Sequence, residues 1–206
     1  ADALLVLPPF YYANVTEEGV ISFFKVVLEH SQLPVYLYNF PRHTKFQLTP
    51  EMVRRLLIEH RNLLGIKDSS GDIEIACSFR SVSPDFQVFV GNDSAALNIL
   101  KVGLNGSVTG SGNIVPEFLV KIHQSFTEGK TEVAEEIQKM FDIWTSFKNK
   151  LPVKEIPLIK LLLAERIKSF PPYVRPPLLT SEEEIDKIRS AFRETILPLC
   201  HKVRGL

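Results

Sequence analysis

Short apolar runs alternate with amphipathic segments through the first half of the chain. Five of these runs have the length and composition of buried strands, and they are centred near Leu4, Val35, Leu64, Val88 and Ser107. Between two of the runs, Thr49 is suited to cap a helix, Pro50 suits its first position, and apolar residues recur on one face. A helix that links two strands in this way makes the strands parallel neighbours. The pattern therefore predicts a parallel α/β fold.

The second half of the chain becomes helical. Residues 116–128 form the first predicted helix, and the next one carries an apolar stripe made of Val133, Ile137, Met140, Phe141, Trp144 and Phe147. Pro152 starts a further helix, and residues 180–184 are predicted to cap a last one. We interpret residues 1–130 as βα units and residues 131–206 as a helical extension.

Two of the predicted strands end in residues that could carry chemistry. One run stops at Pro41, which cannot extend a hydrogen-bonded ladder, and presents Tyr38 close to its end. The next run ends at Lys67 and is followed by small and acidic residues. Because parallel strands bring their carboxyl ends to one edge, Tyr38 and Lys67 are expected to share a cleft. Taken alone, Lys67 has a second explanation, a solvated surface lysine.

The residues at these two strand ends resemble the dihydrodipicolinate synthase/N-acetylneuraminate lyase family of class I pyruvate aldolases. Tyr-Asn-Phe-Pro at 38–41 is followed, 29 positions after Tyr38, by Lys67 in Gly-Ile-Lys-Asp-Ser. Further pieces that agree with the family occur in the family's order, at residues 1–12, 90–93, 106–113 and 174–179. The resemblance covers essentially the whole chain.

The resemblance implies a (β/α)8 TIM barrel in which the strand at residues 3–8 is the fourth. The chain is then expected to be the C-terminal portion of a barrel, strands 4 to 8, with the helical extension packed on it. Counting agrees, because the sequence shows five strand-like runs where a closed barrel needs eight. An open doubly wound sheet is the alternative architecture.

The same resemblance implies a Schiff-base mechanism. An unprotonated lysine amine condenses with a keto carbon, and the resulting iminium withdraws electrons so that a nearby carbon–carbon bond can break or form. Lys67 matches the family's Schiff-base lysine, and Tyr38 matches its proton shuttle. Implied partners are a small keto acid such as pyruvate and an aldehyde, with no cofactor.

Further residues are expected to bind substrate. The resemblance places backbone near the ligand at Gly91 and Gly110, although turns or close strand packing explain such glycines more generally. Asp93 is expected either to cap a helix, its more common role, or to bind a substrate hydroxyl. Tyr11, in preference to Tyr12, is the expected further member of the proton relay.

Departures from the family's pattern bear on the substrate. His43 stands where dihydrodipicolinate synthases usually have an arginine that holds a carboxylate, and Ser94 stands where sialate lyases usually have an acidic residue. Residues 103–113, which include the expected substrate-binding residue Val108, resemble 2-keto-3-deoxy-sugar-acid aldolases. The favoured function is therefore an aldolase or lyase acting on a 2-keto-3-deoxy-sugar acid. Dihydrodipicolinate synthase, which joins pyruvate and aspartate semialdehyde, is the alternative.

Composition and charge narrow the possible partners and location. The 24 basic and 24 acidic residues balance, so neither nucleic acid nor an anionic membrane is an expected partner. The apolar run at residues 3–10 is too short to span a bilayer and lacks a basic leader. Cys77 and Cys200 are far apart and lack metal-ligand spacing, so neither a disulfide framework nor a metal site is expected. The cytoplasm is the expected compartment.

A structural or regulatory protein that has lost catalysis is the alternative from another class. The presence of Tyr38 and Lys67 argues against it, since neither is needed for packing at a strand end. The missing N-terminal units argue for it, because in the family they carry a Thr-Thr motif that binds the pyruvate carboxylate. This chain alone is therefore expected to be poorly active. The resemblance also implies a homo-oligomer, a dimer or a tetramer.

Overall fold

The structure is a computed structural model that describes residues 1–12, 14–179 and 184–206. The chain divides into two compact units, Ala1–Asn92 with Ile99–Val108, and Asp93–Asn98 with Thr109–Leu206. This division differs from the predicted border at residue 130, because the helix after the last strand groups with the helices that follow it. Residues 180–183 of the predicted helix cap lie outside the described residues.

Within its described residues, the first unit contains a five-stranded parallel sheet, which confirms the predicted parallel α/β fold. Its strands are β1 (Leu4–Val6), β2 (Val35–Asn39), β3 (Leu63–Asp68), β4 (Gln87–Val90) and β5 (Gly106–Ser107). They lie side by side in chain order. A doubly wound sheet would reverse its order at a switch point, so the consecutive order favours the wall of a barrel over that alternative.

Helices connect these strands, and short polar side chains begin three of them. The helices are α1 (Glu17–His30), α2 (Pro41–Thr44), α3 (Pro50–Glu59), α4 (Ile73–Arg80) and α5 (Ala96–Lys101). Thr49 caps α3 as predicted, because its hydroxyl accepts a 3.3 Å hydrogen bond from the Met52 N–H. Thr16 and Asp72 cap α1 and α4 in the same way. The crossover helices α1, α3 and α4 therefore each start at a defined capping residue.

The two faces of the sheet differ in burial along β2 and at the end of β3. Along β2, the side chains of Val35 and Leu37 are buried, whereas those of Tyr36 and Tyr38 between them are half-buried. The register pairs Tyr38 with Lys67, whose neighbours Ile66 and Asp68 are buried, so Tyr38 and Lys67 belong to the same half-buried face. Alternation at these strand ends thus separates the core side of the sheet from the side that carries the candidate chemistry.

The second unit is helical. It contains α6 (Pro116–Thr127), α7 (Thr131–Lys150), α8 (Glu155–Arg166), α9 (Ile185–Ala191) and α10 (Leu197–Arg204). Its core is aromatic, and its fully buried members include Phe118, Phe141, Trp144 and Phe192. The predicted apolar stripe of α7 supplies part of this core, since Ile137, Phe141 and Trp144 are fully buried.

A buried carboxylate joins three segments of the second unit. Glu117, on the first turn of α6, accepts hydrogen bonds from Arg166 at the end of α8 and from Arg204 at the end of α10. Arg166 also donates to the carbonyl oxygen of Ile114. Burial by itself would raise the pKa of Glu117, but the hydrogen bonds and charge of the two arginines outweigh it and lower the pKa to about 2. The carboxylate is thus charged in the folded protein over most of the pH range.

The predicted last helix is not regular. Residues 192–196 form a π-helical stretch between α9 and α10, in which the Leu197 N–H donates to the Phe192 carbonyl five residues back. Pro198 follows, and it has no N–H and crowds the preceding turn, which is a recognised cause of such local widening.

Among the described residues, no helix is long and apolar enough to cross a membrane.

Candidate active site

Tyr38 and Lys67 lie together at the carboxyl ends of two neighbouring strands. They are register partners on β2 and β3, and the Lys67 amine lies 4.3 Å from the centroid of the Tyr38 ring. This distance is within the range of a cation–π contact. The parallel pairing predicted from the sequence therefore places the phenol and the amine in direct contact.

A buried polar clasp holds the ends of the same two strands from the core side. The Asn39 side-chain amide donates a 2.6 Å hydrogen bond to Asp68, while its carbonyl oxygen accepts one from the Leu48 N–H. The second oxygen of Asp68 accepts a 2.6 Å hydrogen bond from the Ser70 hydroxyl. Asn39 and Asp68 are register partners with almost no exposed surface. The hydrogen bond between Asn39 and Asp68 crosses the two strands one residue beyond Tyr38 and Lys67 and thereby sets the lateral spacing of that pair, whereas the Ser70 hydrogen bond stays within the continuation of β3.

The environment of Asp68 is unusual for a carboxyl group. Burial raises its pKa, and the hydrogen bonds from Ser70 and Asn39 lower it without cancelling that effect. Three hydrogen-bond donors converge on its two oxygens, the Asn39 amide, the Ser70 N–H and the Ser70 hydroxyl. Asp68 is therefore a structural member of the site, turned away from the face that carries Lys67.

Ser69 continues the half-buried face beyond the end of β3. Its hydroxyl lies 3.5 Å from the hydroxyl of Tyr38. It also fills the space beside Gly91, where an added Cβ would overlap the Ser69 oxygen and lie 3.4 Å from Cε of Lys67. Close packing against Ser69 therefore explains why residue 91 is a glycine. Close strand packing was the general explanation considered beside an approach of the Gly91 backbone to a bound ligand. Whether its backbone also meets a ligand stays a prediction.

Aromatic stacking extends the site from Tyr38 to α2. The rings of Tyr38 and Phe40 are stacked with centroids 5.2 Å apart, and the ring of Phe40 lies 4.4 Å from that of His43. His43 is exposed on α2, which begins at Pro41 directly after the strand. The imidazole therefore stands two rings away from the Lys67 amine, at the solvent edge, and its contact with substrate stays a prediction.

Two other expected residues of the first unit lie in more open positions. Tyr11 is 86% exposed, and its ring is in edge contact with Tyr12 at 5.4 Å, so the structure does not bring it against Tyr38 or Lys67. The N–H of Val108 donates to the Val90 carbonyl at 3.0 Å, and its side chain is partly exposed just after β5.

Asp93 and Gly110 belong to the second unit, where both have packing roles. Asp93 begins a 3-10 turn, and its carboxylate is bound by Lys148 and by the Ser111 hydroxyl, which in turn accepts from Trp144 at 2.7 Å. Burial alone would lower the pKa of Lys148, but the hydrogen bond and charge of Asp93 outweigh it and raise the pKa. Lys148 and Ser111 both donate to the same carboxylate oxygen of Asp93, Oδ2. Binding of a substrate hydroxyl by Asp93 stays a prediction.

Gly110 is the second glycine with a packing reason. An added Cβ at this position would lie 2.7 Å from Oε1 of Glu155 and 2.9 Å from Cδ1 of Ile159, both on α8.

In the described part of the chain, no three His, Cys, Asp or Glu side chains are grouped as a metal site.

Sequence reasoning missed three residues of this site, Asn39, Asp68 and Ser69. A signal for Ser69 was present, because the alternation Gly65, Lys67, Ser69 continues through the strand end. No comparable signal marked the clasp, since a polar residue after a strand is more often a turn former. The pairing of Asn39 with Asp68 depends on register, which the sequence does not give directly.

These features define a parallel α/β protein whose strands follow one another as in a TIM-barrel wall, with a lysine and a tyrosine at neighbouring strand ends. The chain belongs to the dihydrodipicolinate synthetase family, whose model matches residues 1–195. The resemblance drawn from the strand-end motifs is thereby confirmed.

Curated relatives include two kinds of enzyme. The probable 2-dehydro-3-deoxy-D-pentonate aldolase YjhH of Escherichia coli K12 is 32% identical over 194 residues, which cover 91% of this chain and 64% of YjhH. A 4-hydroxy-tetrahydrodipicolinate synthase of Archaeoglobus fulgidus is 31% identical over 199 residues, which cover 94% of this chain and 66% of that protein. The chain therefore spans slightly less than two thirds of the length of these relatives.

Solved structures give the same fold. YagE, a prophage protein of the dihydrodipicolinic acid synthase family from E. coli K12 in complex with pyruvate, superposes with a TM-score of 0.85 at 26% identity, covering 96% of this chain and 67% of YagE. A variant of Sulfolobus solfataricus 2-keto-3-deoxygluconate aldolase gives a TM-score of 0.82 at 23% identity, covering 97% of this chain and 67% of that chain. The second likeness concerns the fold alone.

Proposed function

We propose that the protein is a Schiff-base-forming aldolase or lyase that acts on pyruvate or on a 2-keto acid derived from it. Lys67 is the nucleophile and Tyr38 is the proton shuttle. The observation that carries this proposal is the position of the Lys67 amine, 4.3 Å from the Tyr38 ring at the carboxyl edge of the sheet. Chemistry on a barrel wall is concentrated at that edge.

The chemistry follows from the two side chains. The Lys67 nitrogen adds to the keto carbon, and the carbinolamine hydroxyl leaves as water when it receives a proton from the Tyr38 phenol. The iminium that remains draws electrons from the adjacent carbon. A carbon–carbon bond one position further can then break to leave an enamine, or the enamine can attack an aldehyde in the reverse direction. The Tyr38 phenolate takes up the proton of the hydroxyl on the departing carbon as the carbon–carbon bond breaks and that carbon becomes an aldehyde, and Tyr38 gives this proton back when the enamine attacks an aldehyde in the reverse direction.

A 2-keto-3-deoxy-sugar acid is the proposed substrate class. Its support is the likeness to YjhH, described as a probable 2-dehydro-3-deoxy-D-pentonate aldolase, together with His43 at the place of the family's usual arginine. Dihydrodipicolinate synthesis is the second candidate, and several relatives at about the same identity bear that function in their names.

Self-association and a cytoplasmic location are part of the proposal. Phe10, Tyr11 and Tyr12 are exposed together after β1, and such aromatic surface is typical of an interface between protein chains. A dimer or tetramer is therefore proposed. Cys77 and Cys200 are free thiols, which agrees with a reducing compartment.

Borohydride trapping tests the proposal. The protein is incubated with pyruvate, reduced, digested and analysed by peptide mass spectrometry. The expected result is an adduct on the peptide that carries Lys67, and its loss in Lys67→Arg. Lys148→Arg is the matched control, because Lys148 is also partly buried but is paired with Asp93, and it should leave trapping unchanged. Absence of an adduct on Lys67 both in this chain and in a version extended to a full barrel would refute the Schiff-base function.

A further inference from the structure

The Tyr38 phenol needs a partner when it gives up its proton. A phenolate formed beside an iminium is stabilised by any hydroxyl that can donate to it, and hydrogen bonds to charged groups are the stronger ones. The nearest hydroxyl that the structure shows is that of Ser69, 3.5 Å away. Catalytic hydrogen bonds are often this long in ligand-free proteins and shorten when the substrate is bound.

The backbone holds Ser69 firmly in this position. Its N–H donates a 2.8 Å hydrogen bond to the carbonyl of Asn39, and the Gly91 N–H donates a 2.7 Å hydrogen bond to the carbonyl of Asp68. The three strand ends are therefore bonded to one another around the serine. Its hydroxyl occupies the room left by the missing Cβ of Gly91 and lies beside the Lys67 stem.

Ser69 and Ser70 are adjacent but have opposite orientations. Ser70 donates to the buried Asp68 at 2.6 Å, on the core side. Ser69 faces the side of Tyr38 and Lys67, as the alternation of an extended chain requires. The two serines therefore have separable roles, and Ser70 provides an internal control for Ser69.

We propose that Ser69 is a positioning residue of the proton relay, and that its hydroxyl donates a hydrogen bond to the Tyr38 oxygen when the phenol has passed its proton to the leaving water. The inference rests on the proposed function. The proton balance is complete: Tyr38 releases one proton when water leaves, Ser69 keeps its own proton while donating, and the phenolate regains a proton from the methyl carbon next to the iminium as the enamine forms.

Exchange of the pyruvate methyl protons tests this role without knowledge of the aldehyde. Protein and pyruvate are mixed in D2O, and loss of the methyl signal is followed by proton NMR across a pH series, with borohydride trapping measured in parallel. Ser69→Ala is expected to trap pyruvate at Lys67 but to exchange roughly tenfold more slowly, as loss of one hydrogen bond to a charged group predicts. Its rate profile should also move to higher pH, because the phenolate has lost a donor.

Three further variants make the result specific. Ser69→Thr keeps the hydroxyl and is expected to retain the original pH profile, while Ser69→Cys keeps the size with a weaker donor and should fall between. Ser70→Ala is expected to lower stability but leave the profile in place. Normal trapping with unchanged exchange in both Ser69→Ala and Ser69→Cys would overturn the relay role alone. Absence of trapping without any substitution, both in this chain and in a version extended to a full barrel, would overturn the proposed function and this inference with it.

Discussion

Replacing Glu117 by glutamine should cost the second unit a large share of its stability at neutral pH. The carboxylate is 10% exposed, and its main partner Arg166 is 14% exposed, so solvent screens their interaction little. The substitution keeps the shape of the side chain and removes its charge. It leaves Arg166 partly buried without a counter-ion, which is the costly way to break an ion pair.

The magnitude follows from the lowered pKa. A carboxyl group whose pKa falls from 4.5 to about 2 on folding contributes about 3 kcal/mol at neutral pH, at about 1.4 kcal/mol for each pKa unit. Because the pKa is lower in the folded state, this contribution is complete above pH 4.5 and is lost progressively as the pH falls to about 2. We therefore expect Glu117→Gln to lose about 3 kcal/mol at pH 7 and little at pH 2.

Urea unfolding at several pH values is the measurement. Glu128→Gln is the matched control, because Glu128 pairs with Lys130 at 2.7 Å but is 57% exposed, and exposed ion pairs contribute little to stability. The difference between the unsubstituted protein and Glu117→Gln should shrink steadily below pH 4.5. Equal losses for the two variants at pH 7, or a loss that does not change with pH, would refute the reasoning.

Two other predictions concern the strand ends and the cysteines. Asn39→Ala should cost about 2 to 4 kcal/mol in urea unfolding, because it leaves both Asp68 and the Leu48 N–H short of a partner in the core, and a loss under about 0.5 kcal/mol would contradict the clasp. Burial raises the pKa of Cys200 to about 11, whereas Cys77 is half-buried. Iodoacetamide at pH 8 should therefore label Cys77 first and Cys200 only after unfolding, as peptide mass spectrometry would show. Early labelling of Cys200 would contradict its buried position.

The parts of this protein that depend on local pattern could be predicted from the sequence. Apolar runs located the strands, Thr49 and Pro50 located the start of α3, and the order of the strands predicted that Tyr38 and Lys67 lie at neighbouring strand ends. Each of these signals lies within a few residues of the feature it predicts. Their combination also identified the family correctly.

The parts that depend on distant partners could not be predicted. Asp93 begins a 3-10 turn, in line with the helix-start role expected of it, but nothing in the sequence indicated that Lys148, 55 positions later in the chain, would bind its carboxylate. Gly110 is explained by α8, which begins 45 residues further on. Such contacts are set by how helices pack, and a single sequence carries no local signal for them.

The π-helical stretch at residues 192–196 acts as one extra residue in the phase of the last helix. The wide turn absorbs that residue, so the side chains that follow keep the phase they would have without it. In an uninterrupted α-helix of the same length, each residue advances the side-chain direction by about 100°, and Cys200 and Val203 would turn out of the core. Deletion of the exposed Thr195 is therefore expected to convert the stretch to an α-helix and to cost less stability than deletion of the exposed His201 within α10, which would turn Val203 and Arg204 by that angle; urea unfolding can measure the contrast. The stretch thus separates the phase of residues 197–204 from the number of residues that precede them.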